Sequence, residues 1–393
     1  MNKLWDKGVE IDKKVESFTV GNDYQLDMVL VPYDCIASKA HVKMLLKMGY
    51  INKIEQKMID KTLDEIIYLH KNGKFKILRS EEDCHTAIEN FLVKKLNNVG
   101  EKVHTARSRN DQVLTALRLF YKDELSKINS LSKNWIKALE SFSNDNNEVI
   151  FPGYTHMQKA MPSSMPLWAD AYIESMKDDL IILETVNSLI DQSPLGSAAG
   201  FGVPIDIDRK MTAKELNFKK VQGNPIYCQI SRGKFEISIL QSLSQILLTI
   251  NRLCSDVIQF SMKEFGYFSL PESFCTGSSI MPQKNNPDIL ELLRGSYHIM
   301  LGYEAQVKSL SSNLISGYNR DIQLSKEPVM KGLKLAVDCL SVNISLLSNL
   351  KVNKLKCSEA MTEELYATAK VYDLVKNGVP FRQAYKEVAK TIK

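Results

Sequence analysis

Between residues 113 and 142 the apolar side chains Leu114, Leu117, Tyr121, Leu125, Ile128, Leu131, Trp135, Leu139 and Phe142 advance in steps of three and four. That spacing puts them along one face of an α-helix, and a seam this long stays in register only against other helices lying lengthwise beside it. No proline stands between Pro32 and Pro152, so nothing there interrupts helical hydrogen bonding. Comparable patterns run from about Ser163 to Ile190, Lys234 to Phe265, Pro287 to Leu314 and Pro328 to Leu350. Five long helices with little strand-like alternation predict an all-α fold. We expect a long central helical bundle over residues 105–350, with smaller helical domains at 1–104 and 351–393. Helices with several apolar faces leave some to be covered by other copies, which predicts a homo-oligomer.

Local signals agree with this reading. Asn52 followed by Glu55 forms a capping-box pattern for a helix running to about His70, and Asn72-Gly73 ends it. Lysine and arginine number 51 against 46 acids, a mild net charge of +5 spread along the chain, which does not point to nucleic acid. The seven cysteines show no Cys-x-x-Cys pair and no metal-ligand spacing with histidine, so they read as reduced, mostly buried thiols. No apolar run reaches membrane-spanning length and Met1–Lys7 lacks the apolar centre of a signal peptide, so a cytoplasmic protein is expected. The glycines of 195–202 lack the lysine of a phosphate loop and suit a close-packed turn.

The chemistry concentrates in four segments. Residues 275–291 read Cys-Thr-Gly-Ser-Ser-Ile-Met-Pro-Gln-Lys-Asn-Asn-Pro-Asp-Ile-Leu-Glu, a polar loop entering a helix that Asn286 would cap and Pro287 would begin. A serine can take a proton from carbon only where cationic and hydrogen-bonding groups stabilise its oxyanion and the carbanion, and Lys284, Asn286 and the helix N-terminus could do so. Residues 104–112, His-Thr-Ala-Arg-Ser-Arg-Asn-Asp-Gln, put two arginines, a serine and an asparagine at another helix start, a carboxylate clamp in the making. Residues 152–163 carry Gly-Tyr-Thr-His-Met-Gln before a third helix, and 318–326 read Tyr-Asn-Arg-Asp-Ile-Gln-Leu-Ser-Lys.

Together these segments resemble, in order and over nearly the whole chain, those of the argininosuccinate lyases of the fumarase/aspartase superfamily. The resemblance implies Ser278 as base, Lys284 and Asn286 on the substrate carboxylate, and Ser108, Arg109 and Asn110 as a substrate clamp. It implies Thr155 on the substrate and His156 in proton transfer, oriented by Glu291, with Tyr318, Gln323 and Lys326 on the polar ends of the substrate. Asp83-Cys84-His85-Thr86 is similar to a segment bordering the site. The chain departs from the pattern at Gln229-Ile230-Ser231-Arg232-Gly233-Lys234, which keeps the arginine and loses flanking acids, and at Trp5-Asp6-Lys7-Gly8. By the resemblance, the last domain is expected to be shorter than the family's.

By the same resemblance the activity is cleavage of argininosuccinate to arginine and fumarate, with no metal or organic cofactor, in a homotetramer whose active sites take residues from three subunits. Adenylosuccinate or a modified argininosuccinate as substrate, and a catalytically silent structural homologue, are the alternatives.

Overall fold

The computed structural model describes residues 12–392. Trp5–Gly8 and Lys393 lie outside the described residues. The fold is all-α, built on the helices Arg109–Asp145, Met165–Ile190, Lys234–Ser261, Asp288–Leu310 and Lys326–Leu347. Every residue of the 113–142 seam except Leu131 is buried. Each such leucine or isoleucine contributes about 1.5–3 kcal/mol by leaving water. The seam also carries a polar device: fully buried Trp135 donates from Nε1 to Oδ1 of buried Asn343. Asn343 Nδ2 in turn reaches Cys254 Sγ at 3.6 Å, so these polar groups are partnered where water cannot reach them.

The chain forms two compact units. One comprises Met1–Lys127, Leu183–Gln241 and Tyr303–Leu333, the other Ile128–Ile182, Ser242–Gly302 and Lys334–Lys393. In the first, Val31–Lys47, Lys53–Lys71 and Cys84–Leu96 form a helical group at the N-terminal side. The capping box is present: Asn52 Oδ1 accepts from the Ile54 and Glu55 N–H groups, and Glu55 accepts from the Asn52 N–H. In the second, the hairpin helices Ala367–Lys376 and Phe381–Thr391 bury Val371, Ala384 and Val388 between them. All seven cysteines are free, and only Cys275 is not fully buried.

Among the described residues, four short two-stranded ladders interrupt the helices. The longest is the antiparallel hairpin of β1, Ile150–Thr155, and β2, Gln158–Ser164. Its sequence reads as a turn because Pro152 and Pro162, which stand opposite each other, break any strand pattern. A two-stranded ribbon tolerates them because both strands are edges. The hairpin also moves the start of the following helix from the expected Ser163 to Met165. The helix expected from Pro287 begins instead at Asp288, because Asn285–Asn286 is taken up in a ladder with Thr276–Gly277. The helix from Lys234 ends at Ser261, short of Phe265, where Gly266 turns the chain with φ 64°.

Candidate active site

The helix Arg109–Asp145 starts on an interlocked cap. Fully buried Asp111 accepts from the Ser108 N–H at 2.9 Å and from the Gly196 and Ala198 N–H groups at 2.9 and 3.0 Å. One carboxylate therefore pins the helix N-terminus and the 195–202 turn together. Burial raises its pKa, and the three N–H donors with Arg107 work in the opposite direction. Gly196 belongs to a turn where a side chain would meet Arg209 and Ile207 at 2.8 Å, so the close packing expected there is real. The two arginines of the 104–112 segment separate. Arg107 turns inward and donates to Ser38 Oγ at 2.8 Å, whereas Arg109 turns to a cleft and reaches Glu82 and Asp83, each at 3.2 Å.

That cleft lies within the first unit and gathers Arg109, Asn110, Arg232, Tyr318, Gln323 and Lys326 from three distant segments. Ser108 stays beside it as the cap residue, its Oγ accepting from the Asn110 N–H at 3.3 Å. Lys326 is buried between Asp27 at 2.6 Å and Asp23 at 3.1 Å. Burial alone would discharge this ammonium, but the two carboxylates outweigh it and raise the lysine pKa. Burial likewise raises the Asp23 pKa, against the pull of Lys326. The Gln323 amide is tied to the Thr19 carbonyl and to Arg320. Arg232 differs: it is 8% exposed, lies 5.0 Å from the centre of the Tyr318 ring, and forms no ion pair among the described residues. Buried Glu236 feels its charge, but the Arg232 Nη1 finds no hydrogen-bond partner among the described residues and can receive an anion's oxygen.

His85 also lines the cleft, with Nδ1 3.0 Å from Asp34 Oδ2. Burial works against its charged form, but Asp34, with Asp83 and Asp27 beyond it, raises the imidazole pKa overall. A raised folded pKa gives stability that is complete below the unfolded value of about 6.5 and lost as pH climbs through the folded one. Replacing His85 by glutamine is therefore expected to cost most below about pH 6.5, with the gap to wild type closing at higher pH. Thermal unfolding followed across that range measures it, and a gap independent of pH would mean that the pair contributes no charge interaction. Asp27, Cys84 and His85 offer ligand atoms within 4.8 Å of one another. The Lys326 ammonium, 2.6 Å from Asp27, puts a positive charge where an ion would have to bind.

The remaining predicted residues belong to the second unit. The ladder of Thr276–Gly277 with Asn285–Asn286 closes residues 278–284 into a loop, and Thr276 Oγ1 donates to Asp288 in the first helical turn behind it. Half-buried Ser278 directs its Oγ at the loop's own backbone, accepting from the Met281 N–H at 3.2 Å and the Ile280 N–H at 3.4 Å. Two donors on a serine oxygen favour its anionic form. Lys284, Asn286 and Glu291 line a groove behind the loop. Ile280 at the loop tip is 83% exposed. Thr155 and His156 stand exposed at the tip of the β1–β2 hairpin. His156 makes no hydrogen bond to Glu291 or to any other described residue. The predicted residues thus fall into two groups, a charged cleft in one unit and the serine loop with the histidine hairpin in the other. Sequence reasoning misses Asp27, Asp34 and Glu82, since an acid in a helical stretch carries no local mark of what it will face.

Residues 7–302 match the model of a family described as lyase. An argininosuccinate lyase of Thermotoga neapolitana is 52% identical over 387 residues, 98% of this chain and 97% of that protein. One of Sorangium cellulosum is 40% identical, covering 99% of this chain and 90% of its own length. Among solved structures, an EDDS lyase in complex with formate superposes with a TM-score of 0.81 at 24% identity over 95% of this chain and 74% of that one. A class II fumarase from Schistosoma mansoni gives 0.80 at 17% identity over 95% and 91%. At these identities the two structures speak for the fold alone.

Proposed function

Because this chain belongs to the lyase family, and within it to the argininosuccinate lyases, we infer that it cleaves argininosuccinate to L-arginine and fumarate. The observation that carries the inference is 52% identity across 98% of the chain. In this reading Ser278 takes a proton from the succinyl carbon next to a carboxylate. The electron pair left behind becomes the double bond of fumarate as the guanidino nitrogen departs from the neighbouring carbon on the opposite face. The proton removal creates a dianion, which Lys284, Asn286 and the clamp of Ser108, Arg109 and Asn110 stabilise. Loss of one such donor typically costs about 3 kcal/mol of barrier. His156, oriented by Glu291, returns a proton to the leaving nitrogen, worth roughly 10² to 10⁴ in rate. Arg232, Tyr318, Gln323 and Lys326 hold the polar ends of the substrate, with Thr155 beside the reacting atoms. The proton balance closes among these side chains, with no need for metal or organic cofactor.

The reading places active sites between subunits of a cytoplasmic homotetramer. The exposed hairpin tip and the Arg232 Nη1, which has no hydrogen-bond partner among the described residues, support it, since each awaits a complement. Mass photometry at assay concentration is expected to find a tetramer, and a monomer with full activity would contradict shared sites.

The direct test is to add argininosuccinate and follow the ultraviolet absorbance of fumarate while quantifying arginine in the same tube. Equal appearance of both is expected. Neither product from a folded protein would sink the inference, and release of AMP from adenylosuccinate would point to the alternative substrate.

A further inference from the structure

The β1–β2 hairpin is held in a way that no substrate-binding role explains. Its strands run in register to Gly153 opposite Met161, then slip by one residue, so that Tyr154 faces Lys159 and Thr155 faces Gln158. Ala160 is left as a bulge. Without the slip, Thr155 would face Lys159 and His156 would face Gln158, leaving a one-residue turn that the backbone cannot make. With it, the turn is His156-Met157, at φ 52° and 60°. Both residues are in the left-handed region that such turns reserve for glycine and asparagine. Strain of this kind persists only where the surroundings fix the strands.

Two contacts do so, one on each strand. The Tyr154 hydroxyl lies 2.7 Å from that of Tyr267, and Tyr267 packs edge-on against Phe151 and Phe265. The Tyr267 carbonyl accepts from the Asn353 N–H at 2.9 Å, and Phe268 pairs with Val352. On the opposite strand Lys159 Nζ donates to the Ala360 carbonyl at 2.7 Å, at the end of the short helix Lys354–Glu359, where carbonyls lack helical partners. Both routes lead to one segment, residues 351–360.

We propose that residues 351–360, acting through Tyr154 and Lys159, are a positioning element that fixes Thr155 and His156 for proton transfer. The proposal rests on the functional reading above and deepens it. Neither Tyr154 nor Lys159 touches substrate, and each acts through the geometry of the tip.

The test is the full-length Tyr154→Phe/Lys159→Met double variant, in which one hydroxyl and one ammonium are removed and nearly all volume is kept. Its kcat is expected to fall about 10- to 100-fold, because a misplaced proton donor costs that much, with KM within about threefold of wild type. Lys159→Arg alone should retain kcat, since guanidinium also reaches the carbonyl. Backbone amides of 151–164 should exchange with deuterium about tenfold faster in the double variant. Unchanged kcat overturns the proposal whether or not exchange accelerates. If the wild-type protein does not cleave argininosuccinate, the functional reading fails by itself. Exchange then still decides whether this segment holds the hairpin, and wild-type protection in the double variant would end that idea too.

Discussion

Replacing Ser278 by alanine is expected to lower kcat by about 10³- to 10⁴-fold, with the fold intact and KM within a few-fold of wild type. The substitution removes the only atom in the loop that both accepts two backbone N–H groups and can carry a proton away. Those two donors remain after the change, free to bind water, so the loop loses no partner it cannot replace. Its closure is a main-chain ladder between Thr276–Gly277 and Asn285–Asn286, which does not depend on the serine side chain. Fumarate release measures the loss, and circular dichroism with substrate-binding calorimetry shows whether fold and affinity survive. Near-normal turnover would remove Ser278 from its role.

A second large effect is expected at Lys326. Replacement by methionine keeps most of the volume but leaves Asp23 and Asp27 facing each other in a buried site. Breaking a buried ion pair on one side typically costs about 3–5 kcal/mol. The pH dependence distinguishes this from a packing loss. Burial already holds the Asp23 carboxyl above its ordinary value against the pull of Lys326, so without the ammonium its protonated form is favoured further in the folded protein. For a group shifted that way, stability is complete below the unfolded value near about 4 and lost as pH rises through the folded one. The melting-temperature deficit should therefore be largest at neutral pH and shrink towards about pH 4. A deficit that is flat with pH would assign the loss to packing instead. The same lysine lines the charged cleft, so under the proposed function KM should rise in parallel.

The two predictions rest on residues of different legibility. Ser278 is readable because its chemistry is local: the loop, the turn and the following helix are consecutive in sequence. Lys326 is readable only through the resemblance, and its partners are not. Asp27 and Asp23 lie some 300 residues earlier, and nothing near them marks which charge they will meet. The 104–112 segment shows the same limit within nine residues. Its two arginines look equivalent in sequence, yet one is buried on Ser38 and the other opens to the cleft. Arg107 lies in the turn before the helix, after Ala106 at φ 59°, and Arg109 in its first turn, so the two side chains leave the backbone in different directions. The β1–β2 hairpin escapes because strand pairing is a relation between two segments, and neither Pro152 nor Pro162 advertises a partner.

By itself the sequence determined that the protein is all-α, where its long helices run to within a few residues, the capping box at Asn52, and the contiguous motifs from which the proposed lyase residues are read. These depend on periodicity, caps and contiguous motifs, interactions that close within a few turns of chain. Tertiary structure alone decided the ion network around Lys326, the burial of the Arg232 guanidinium against the Tyr318 ring, the bulge that lets His156 take a left-handed turn, and the shortened start of the helix at Asp288. Each depends on a group brought from far along the chain, and burial sets its energy. In the Asp23–Lys326–Asp27 network, desolvation and Coulomb attraction nearly oppose each other, so only the final geometry fixes which prevails.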